Sequence, residues 1–290
     1  MPQSRRLVCL LLCVLAVFWS GAALAWCRST TCKGANCPSD DSGCNTSGKK
    51  LWWRGRCAGF SLQANGSVLL PSDKVHAVID AAFATWSDVD CGGGQRASVT
   101  TGPLPDTPCV NNEYDPNGRN VNLVVFRDNA WTFKGTYDNI AKTTVHFDAD
   151  TGEILDVDME INSAANWFTL DRKDVEYDLQ SVITHEVGHF LGIAHSDQPW
   201  AVMYPDYEPG STAGRTLSGD DIAAVCAAYP PGRAASCDLT PRGGFDTCSG
   251  QAAGGCAARP GAPSAVAGAA GIAAAALCLV RRKGKGGSRR

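Results

Sequence analysis

The residues from position 185 to position 195 read HEVGHFLGIAH, and this stretch decides the fold around it. His185 and His189 are four residues apart, so a helix brings both imidazoles onto one face, one turn apart. Two neutral imidazoles placed in this way can bind one Zn²⁺, and Glu186 beside them is placed to act as a general base towards water. Gly192 permits the left-handed backbone that ends the helix and brings His195 round as a third ligand. Three protein ligands with a fourth position open to water predict a catalytic zinc site rather than a structural one.

This stretch resembles the signature of the metzincin zinc proteases, H-E-x-x-H-x-x-G-x-x-H followed by a methionine turn. The turn is present here as Met203-Tyr204-Pro205, with Tyr207 two residues further on. These residues, together with Ser196 after the third histidine, resemble the matrixin branch. The resemblance implies that Met203 lies beneath the zinc site and that Pro205 and Tyr207 line the pocket for the residue after the scissile bond.

The resemblance extends over about residues 51–230 and implies an α+β fold. A twisted, mostly parallel sheet with an antiparallel edge strand carries a long helix packed on it, a zinc helix and a C-terminal helix. In matrixins an extended substrate pairs with the antiparallel edge strand. Carried over to this chain, Thr143, Thr144 and Val145 would supply backbone hydrogen bonds to the peptide.

Apolar periodicity and capping residues predict where the elements lie. A stripe at every third or fourth position indicates a helix after Pro71, and candidate caps start helices at Asp178 and Ser218. The segment 60–70 is typical of a strand or a hairpin around Asn65-Gly66. Further strands are predicted at 97–101, 121–127, 141–147 and 153–162.

Both ends of the chain have the pattern of targeting segments. Arg5 and Arg6 precede an apolar run to Trp19 and small residues at 23–25, which predicts a signal peptide over 1–25, cut before Trp26. A short buried helix is the alternative. After the signal come a Cys-rich segment at 26–50, the catalytic domain at 51–230 and a Gly/Ala/Pro/Cys-rich tether at 231–264.

The last segment, 265–290, joins an apolar, alanine-rich run to a cluster of cations. With Gly254-Gly255-Cys256 upstream it resembles the myxobacterial type of C-terminal sorting segment, in which the tail is removed at the cysteine. An uncleaved membrane anchor is the alternative. The two ends together predict an exported protein that is extracellular or held at the cell envelope.

Cysteine usage agrees with export. Ten cysteines remain when those of the signal, the tail and the processing site are set aside, and an even number in an exported chain predicts disulfides of open pairing. The ten are Cys27, Cys32, Cys37, Cys44, Cys57, Cys91, Cys109, Cys226, Cys237 and Cys248. A second zinc cluster within 27–44 is the alternative for the first four.

Charge excludes some partners and suggests a second cation. The eight cations of the two ends, set against the formal charge of −3, leave −11 for the body, which argues against nucleic acid and anionic membranes as partners. Carboxylates are also the ligands that Ca²⁺ prefers, so calcium is a second candidate cofactor, against the alternative of solvated turn acids. The acids concerned are Asp148, Asp150, Asp156, Asp158 and Glu160. His76 and His146 are interpreted as a helix surface residue and a strand residue.

These patterns together predict a monomeric, secreted or surface-anchored zinc endopeptidase that acts on protein or peptide substrates, with Glu186 as its general base. One alternative is an adhesion or structural module in which zinc only holds the fold. Another is an enzyme for ester or amide bonds of the cell wall. The cysteine switch motif that keeps matrixins latent was not found in the sequence, so the activation route, the natural substrate and the cleavage preference stay open.

Overall fold

A computed structural model describes residues 25–248 apart from 35, 88, 112 and 134–138, together with the backbone of 272–281. The helices are α1 (Ser72–Ser87), α2 (Leu179–Phe190) and α3 (Gly219–Ala228), with a 3₁₀ turn at Ala213–Arg215. The strands are β1 (Cys27–Arg28), β2 (Cys57–Leu62), β3 (Thr100–Pro103), β4 (Leu123–Phe126), β5 (Asn139–Asp148), β6 (Ile154–Ile161), β7 (Phe168–Thr169), β8 (Tyr177–Asp178), β9 (Ile193–Ala194), β10 (Asp206–Tyr207) and β11 (Ile272–Arg281).

The main sheet has the order β10-β11-β5-β6-β4-β2-β3. Strands β3, β2, β4 and β6 are parallel neighbours, and β5 runs antiparallel to β6. This mixed sheet, parallel on one side and antiparallel on the other, agrees with the α+β architecture that the sequence predicts. One feature differs from the expectation: β5 is not the outermost strand, because β11 pairs along it and β10 pairs with β11.

Helix α1 packs its apolar stripe into the core beneath the zinc helix. The predicted stripe is buried at every position: Val75, Val78, Ile79, Ala82, Phe83 and Trp86. The Phe83 ring stacks on Phe60 of β2, with ring centroids 3.7 Å apart, and meets the edge of Phe190 at the end of α2 at 5.3 Å. Aromatic packing of this kind joins α1, the sheet and α2 into one core, and so fixes the position of the zinc helix.

Two predicted strands differ from the structure. Only the first part of 60–70 is strand, and residues 67–70 form a turn in which Val68 and Leu69 are exposed. The strand predicted at 97–101 begins at Thr100 instead. Its first residues bond outside the sheet, because Ala97 N donates to Val89 O and Ser98 N donates to Tyr229 O.

All ten cysteines that the sequence assigns to disulfides are paired. The bonds are Cys27–Cys44, Cys32–Cys37, Cys57–Cys237, Cys91–Cys226 and Cys109–Cys248. The alternative of a zinc cluster within 27–44 is therefore wrong, because a cysteine in a disulfide has no thiolate to offer a metal.

The segment expected to be a tether is partly bound to the domain. Cys237 and Cys248 are in disulfides with the body, and the Arg233 guanidinium donates to Trp53 O and Gly55 O. The remainder of that segment lies outside the described residues, as do Cys256 and the predicted signal peptide up to residue 24. No helix in the described part of the chain combines the length and apolar character that a membrane crossing requires.

Candidate functional site

The zinc helix α2 begins at a cap that also holds a neighbouring loop. The Asp178 carboxylate accepts a hydrogen bond from Ser181 N at 2.8 Å, as the sequence predicts for an N-cap. The same carboxylate pairs with the guanidinium of Arg215 from the 3₁₀ turn, whose Nε lies 2.9 Å from Asp178 Oδ1. The negative charge complements the positive end of the helix dipole, so the cap fixes where the helix starts.

Three imidazoles converge at the end of this helix. His185 and His189 are buried on one face of α2, and His195 comes from the loop after β9 and is half-buried. Their ring centroids lie 4.8–5.2 Å apart, and Nε2 of His189 is 3.1 Å from Nε2 of His195. One nitrogen from each ring lies within 4.8 Å of the other two. Sequence spacing predicted this set of residues, and the structure brings all three together.

Backbone carbonyls orient two of the rings. Nδ1 of His185 lies 2.6 Å from Val202 O, and Nδ1 of His189 lies 2.9 Å from Ile193 O. A carbonyl can only accept, so each Nδ1 carries the proton and each Nε2 presents its lone pair to the centre. Nε2 of His185 is buried without a hydrogen-bond partner. A buried lone pair of this kind, facing two further imidazole nitrogens, fits a bound Zn²⁺.

Burial also keeps the rings neutral. Removal from water, reinforced by the charge of a protonated His195, lowers the pKa of His185 to about 3 and the pKa of His189 well below its ordinary value. Only a neutral imidazole can ligate a metal, so the surroundings hold these two side chains in the ligating form across the physiological range.

Glu186 is fully buried beside the histidines and is held by the sheet. Thr143 Oγ1 from β5 donates to Glu186 Oε2 at 2.5 Å. The sequence predicted a backbone role for Thr143 and missed this side-chain contact. Only the pairing of two elements 43 residues apart reveals it, and no local pattern could have signalled it.

Met203 packs against the zinc helix at a glycine. A Cβ added to Gly188 would lie 2.1 Å from Met203 Sδ and 3.0 Å from a ring carbon of Trp86. Gly188 therefore lets the methionine approach the backbone between the two helical histidines. Any larger residue there would force the methionine turn away from the helix.

The start of α3 holds the methionine turn in place. Asp221 closes the predicted capping box with Ser218, and its carboxylate also accepts from Val202 N at 2.9 Å and Met203 N at 3.1 Å. The adjacent Asp220 accepts from Ser196 Oγ at 2.7 Å. The sequence predicted Asp221 only as a cap, because its contacts with the turn depend on how α3 docks.

Gly192 turns the chain from α2 towards His195. Its φ is +75°, and a Cβ there would lie 2.7 Å from Leu51 O. The positive φ, which the sequence predicted, and the close approach of Leu51 O both require glycine at this position. The turn is braced from outside by Arg28 of β1, whose Nε donates to Gly192 O at 3.3 Å.

A cavity of about 180 Å³ lies next to His185. Tyr207 lines it, whereas Pro205 is not among the residues around it. The Tyr207 hydroxyl accepts from Asp178 N and donates to Ser211 O. Burial raises the pKa of Tyr207 to about 12, so the hydroxyl stays protonated and keeps the wall of the cavity in place.

The acids proposed for calcium do not converge. Asp148 and Asp150 lie at the turn between β5 and β6, whereas Asp156, Asp158 and Glu160 are buried along β6. The described residues hold no group of three acidic ligands close enough to share an ion. Calcium therefore has no support here. His146 is a strand residue of β5 and lies opposite Asp156. His76 lies in α1, and its Nε2 is 3.2 Å from Asp106 Oδ2.

The edge predicted to pair with substrate is paired within the chain. Residues Thr143, Thr144 and Val145 lie opposite 277, 276 and 275 of β11.

Part of the sequence is similar to known proteins. Residues 113–230 match the family described as Matrixin. The likeness to matrixins is limited to this part of the chain, which is called the matched segment below. Its similarity to other proteins is local: 37% identity over 100 residues with Metalloendoproteinase 1-MMP of Arabidopsis thaliana covers 33% of this chain and 26% of that protein. Matrix metalloproteinase-20 of Homo sapiens is 39% identical over 80 residues, which are 28% of this chain and 16% of that protein. Human Matrilysin is 50% identical over 46 residues, 16% of this chain and 17% of that protein.

The matched region contains all three histidines, Glu186 and Met203. The chain spans about a quarter or less of the length of these relatives, so the likeness concerns the matched segment and not the whole proteins. The segment begins after α1 and the Cys-rich N-terminal residues, which lie outside the match.

Proposed function

We propose that this protein is a zinc-dependent endopeptidase that hydrolyses internal bonds of proteins or peptides. The observation that carries the proposal is the convergence of three imidazole nitrogens within 4.8 Å beside a buried carboxylate. His185, His189 and His195 hold the metal, and Glu186 is the general base. The names of the relatives, which are metalloendoproteinases and matrix metalloproteinases, support the same assignment for the matched segment.

His185, His189 and His195 would hold the zinc, which when bound would supply a Lewis acid for the scissile carbonyl and for the attacking water. Glu186 takes a proton from the attacking water and delivers it to the departing amine. Thr143 holds one carboxylate oxygen of Glu186, so the base keeps one orientation during both transfers. Val202 O and Ile193 O keep the two helical imidazoles directed at the centre.

The substrate class follows from the surroundings of the histidines. An extended peptide would pair with the backbone of Thr143, Thr144 and Val145, and one of its side chains would enter the 180 Å³ cavity beside His185. That volume suits a single side chain. Tyr207 forms part of its wall.

We further propose that the enzyme works outside the cytoplasm as a monomer. Five disulfides support an oxidising compartment. The signal peptide over 1–25 and retention at the cell envelope through the C-terminal segment follow from the sequence pattern alone.

The replacement Glu186→Gln tests the function directly. The variant should bind one zinc per chain, as the wild type does, and lose on the order of 10²–10⁴-fold in kcat on a quenched fluorescent peptide library. Glu176→Gln, at an exposed position, is the matched control and should leave kcat unchanged. Zinc content is measured by mass spectrometry of the metal in each preparation.

Two outcomes would contradict the proposal. A zinc-loaded Glu186→Gln protein with full activity would show that another group is the base. A zinc-loaded protein that cleaves no peptide of the library, even after residues 272–281 have been removed, would favour the structural or adhesion module.

A further inference from the structure

The C-terminal segment Ile272–Arg281 lies where a substrate would lie. Its residues 272–279 run antiparallel to β5, from Ile272 opposite Asp148 to Leu279 opposite Ala141. Its last two residues, 280 and 281, run parallel to β10, opposite Asp206 and Tyr207. The segment therefore fills the space between the antiparallel strand and the wall of the cavity.

The register carries this segment past the catalytic residues. Position 277 lies opposite Thr143, the residue whose hydroxyl holds Glu186. Position 281 lies opposite Tyr207, which lines the cavity beside His185. Cα atoms of β11 also come within 8 Å of α2. A peptide cannot add to β5 at Thr143–Val145 while β11 occupies the same backbone groups.

The pairing uses main-chain groups, so it does not depend on a recognition sequence. An open sheet edge is a template for any extended chain. The segment is apolar and contains four consecutive alanines, from 273 to 276. Alanine is a weak strand former, so the pairing is weak per residue and can be displaced.

Covalent attachment compensates for the weak pairing. Cys248 is fixed to the body by its disulfide with Cys109, and 23 residues separate it from Ile272. A connection of this length can span at most about 80 Å, which is ample for a domain of this size. Attachment makes the binding intramolecular, with an effective concentration that a free peptide would not reach.

We propose that residues 272–281 are a built-in competitor that occupies the substrate cleft, and that cutting the chain between Cys248 and Ile272 opens it. The statement that the cleft binds substrate rests on the proposed endopeptidase function. The statement that residues 272–281 occupy it rests only on their register with β5 and β10. It offers a route to latency in a chain whose sequence shows no cysteine switch. Competition of this kind raises KM and leaves kcat unchanged.

The experiment uses the full chain with a recognition site for a sequence-specific protease inserted after Gly255. All five disulfides lie before the cut, so the folded body stays intact when the tail is released. After cutting and dilution, KM for a peptide substrate should fall at least tenfold with kcat unchanged. Hydrogen exchange at the amides of 141–147 should lose protection at the same time. A synthetic peptide of residues 270–282, added at millimolar concentration, should restore both.

A proline pair provides the matched variants in the uncut chain. In an antiparallel pair the N–H groups of successive residues point alternately towards and away from the neighbouring strand. One of Ala275→Pro and Ala276→Pro therefore removes a hydrogen bond to β5, and the other does not. We expect one of the two variants to lower KM clearly more than the other, while both keep the zinc content of the wild type.

The readouts separate this inference from the proposed function. Equal KM and equal exchange protection before and after the cut would overturn the inference and leave the endopeptidase standing. Loss of exchange protection with no peptide hydrolysis in either form would contradict the endopeptidase and leave the occupied cleft standing. A change in KM on cutting, with no change in exchange protection at 141–147, would also overturn the inference. The tail would then act at some place other than β5.

Discussion

The two faces of the β5–β6 pair carry two different clusters of buried ionisable groups. On one face Thr143 contacts Glu186 beside the three histidines. On the other face Thr144 and His146 of β5 lie directly opposite Asp158 and Asp156 of β6.

Burial alone does not distinguish the two clusters. Both contain buried side-chain atoms without a hydrogen-bond partner, such as Nε2 of His185 in the first cluster and Nε2 of His146 in the second. The difference lies in convergence: the first face directs three ligand atoms to one point, and the second directs no such set. A metal site therefore requires outer contacts that aim each ligand, as Val202 O aims His185.

The largest effect should come from removing a convergent imidazole. His189→Ala should leave the purified protein without stoichiometric zinc and without peptidase activity, because two remaining ligands bind the metal weakly. His146→Ala, at the half-buried histidine of the other face, is the matched control and should keep one zinc per chain. Zinc loss in both variants would break the distinction between the two faces.

A smaller effect should follow from Gly188→Ala. The added methyl would lie 2.1 Å from Met203 Sδ, so we expect a loss of about 2 kcal/mol in the free energy of unfolding, measured by denaturant titration. In a Met203→Ala background the same substitution should cost at least 1 kcal/mol less, because the sulfur is gone. Equal costs in the two backgrounds would show that the contact does not limit this position.

Thr143→Val should reduce turnover without affecting zinc. Losing a hydrogen bond to a charged group removes roughly 1.5–3 kcal/mol, so kcat should fall on the order of 10- to 100-fold. Thr144→Val is a matched control on the neighbouring residue, whose Oγ1 is buried without a partner, and should be neutral or slightly stabilising. A comparable fall in kcat for both variants would mean that the strand as a whole, and not the hydroxyl, supports Glu186.

The smallest effect concerns how stability depends on pH at the buried carboxyl groups of β6. Burial raises the pKa of Asp156 to about 8, so between its ordinary value and pH 8 the folded protein binds more protons than the unfolded chain. This contribution to stability is fully present at low pH and is lost as the pH rises through the folded pKa. Asp156→Asn cannot ionise, so its melting temperature relative to the wild type should rise by several °C between pH 5 and pH 9. A constant difference across this range would contradict the raised pKa.

Short-range patterns were sufficient for much of this protein. The caps at Asp178 and Ser218 and the glycine at 192 predicted features that the structure shows. The spacing of His185, His189 and His195 predicted a set of side chains that the structure brings together. These features depend on residues within one or two helical turns of each other. The ten disulfide cysteines were also predictable as a set, because export and an even count suffice for that inference.

Only the tertiary structure decided how distant residues meet. Three kinds of contact join segments that are far apart in the chain. They are the disulfide pairs, the hydrogen bond from Thr143 to Glu186 and the hydrogen bonds from the methionine turn to Asp221. The position of β11 is also decided by tertiary structure. Many apolar segments could pair with an open sheet edge, and the register with β5 is seen only in the folded chain. Local sequence determines which groups can bind a metal, because helix geometry is set by near neighbours. The packing of the whole chain determines what surrounds those groups, because that outcome depends on every contact at once.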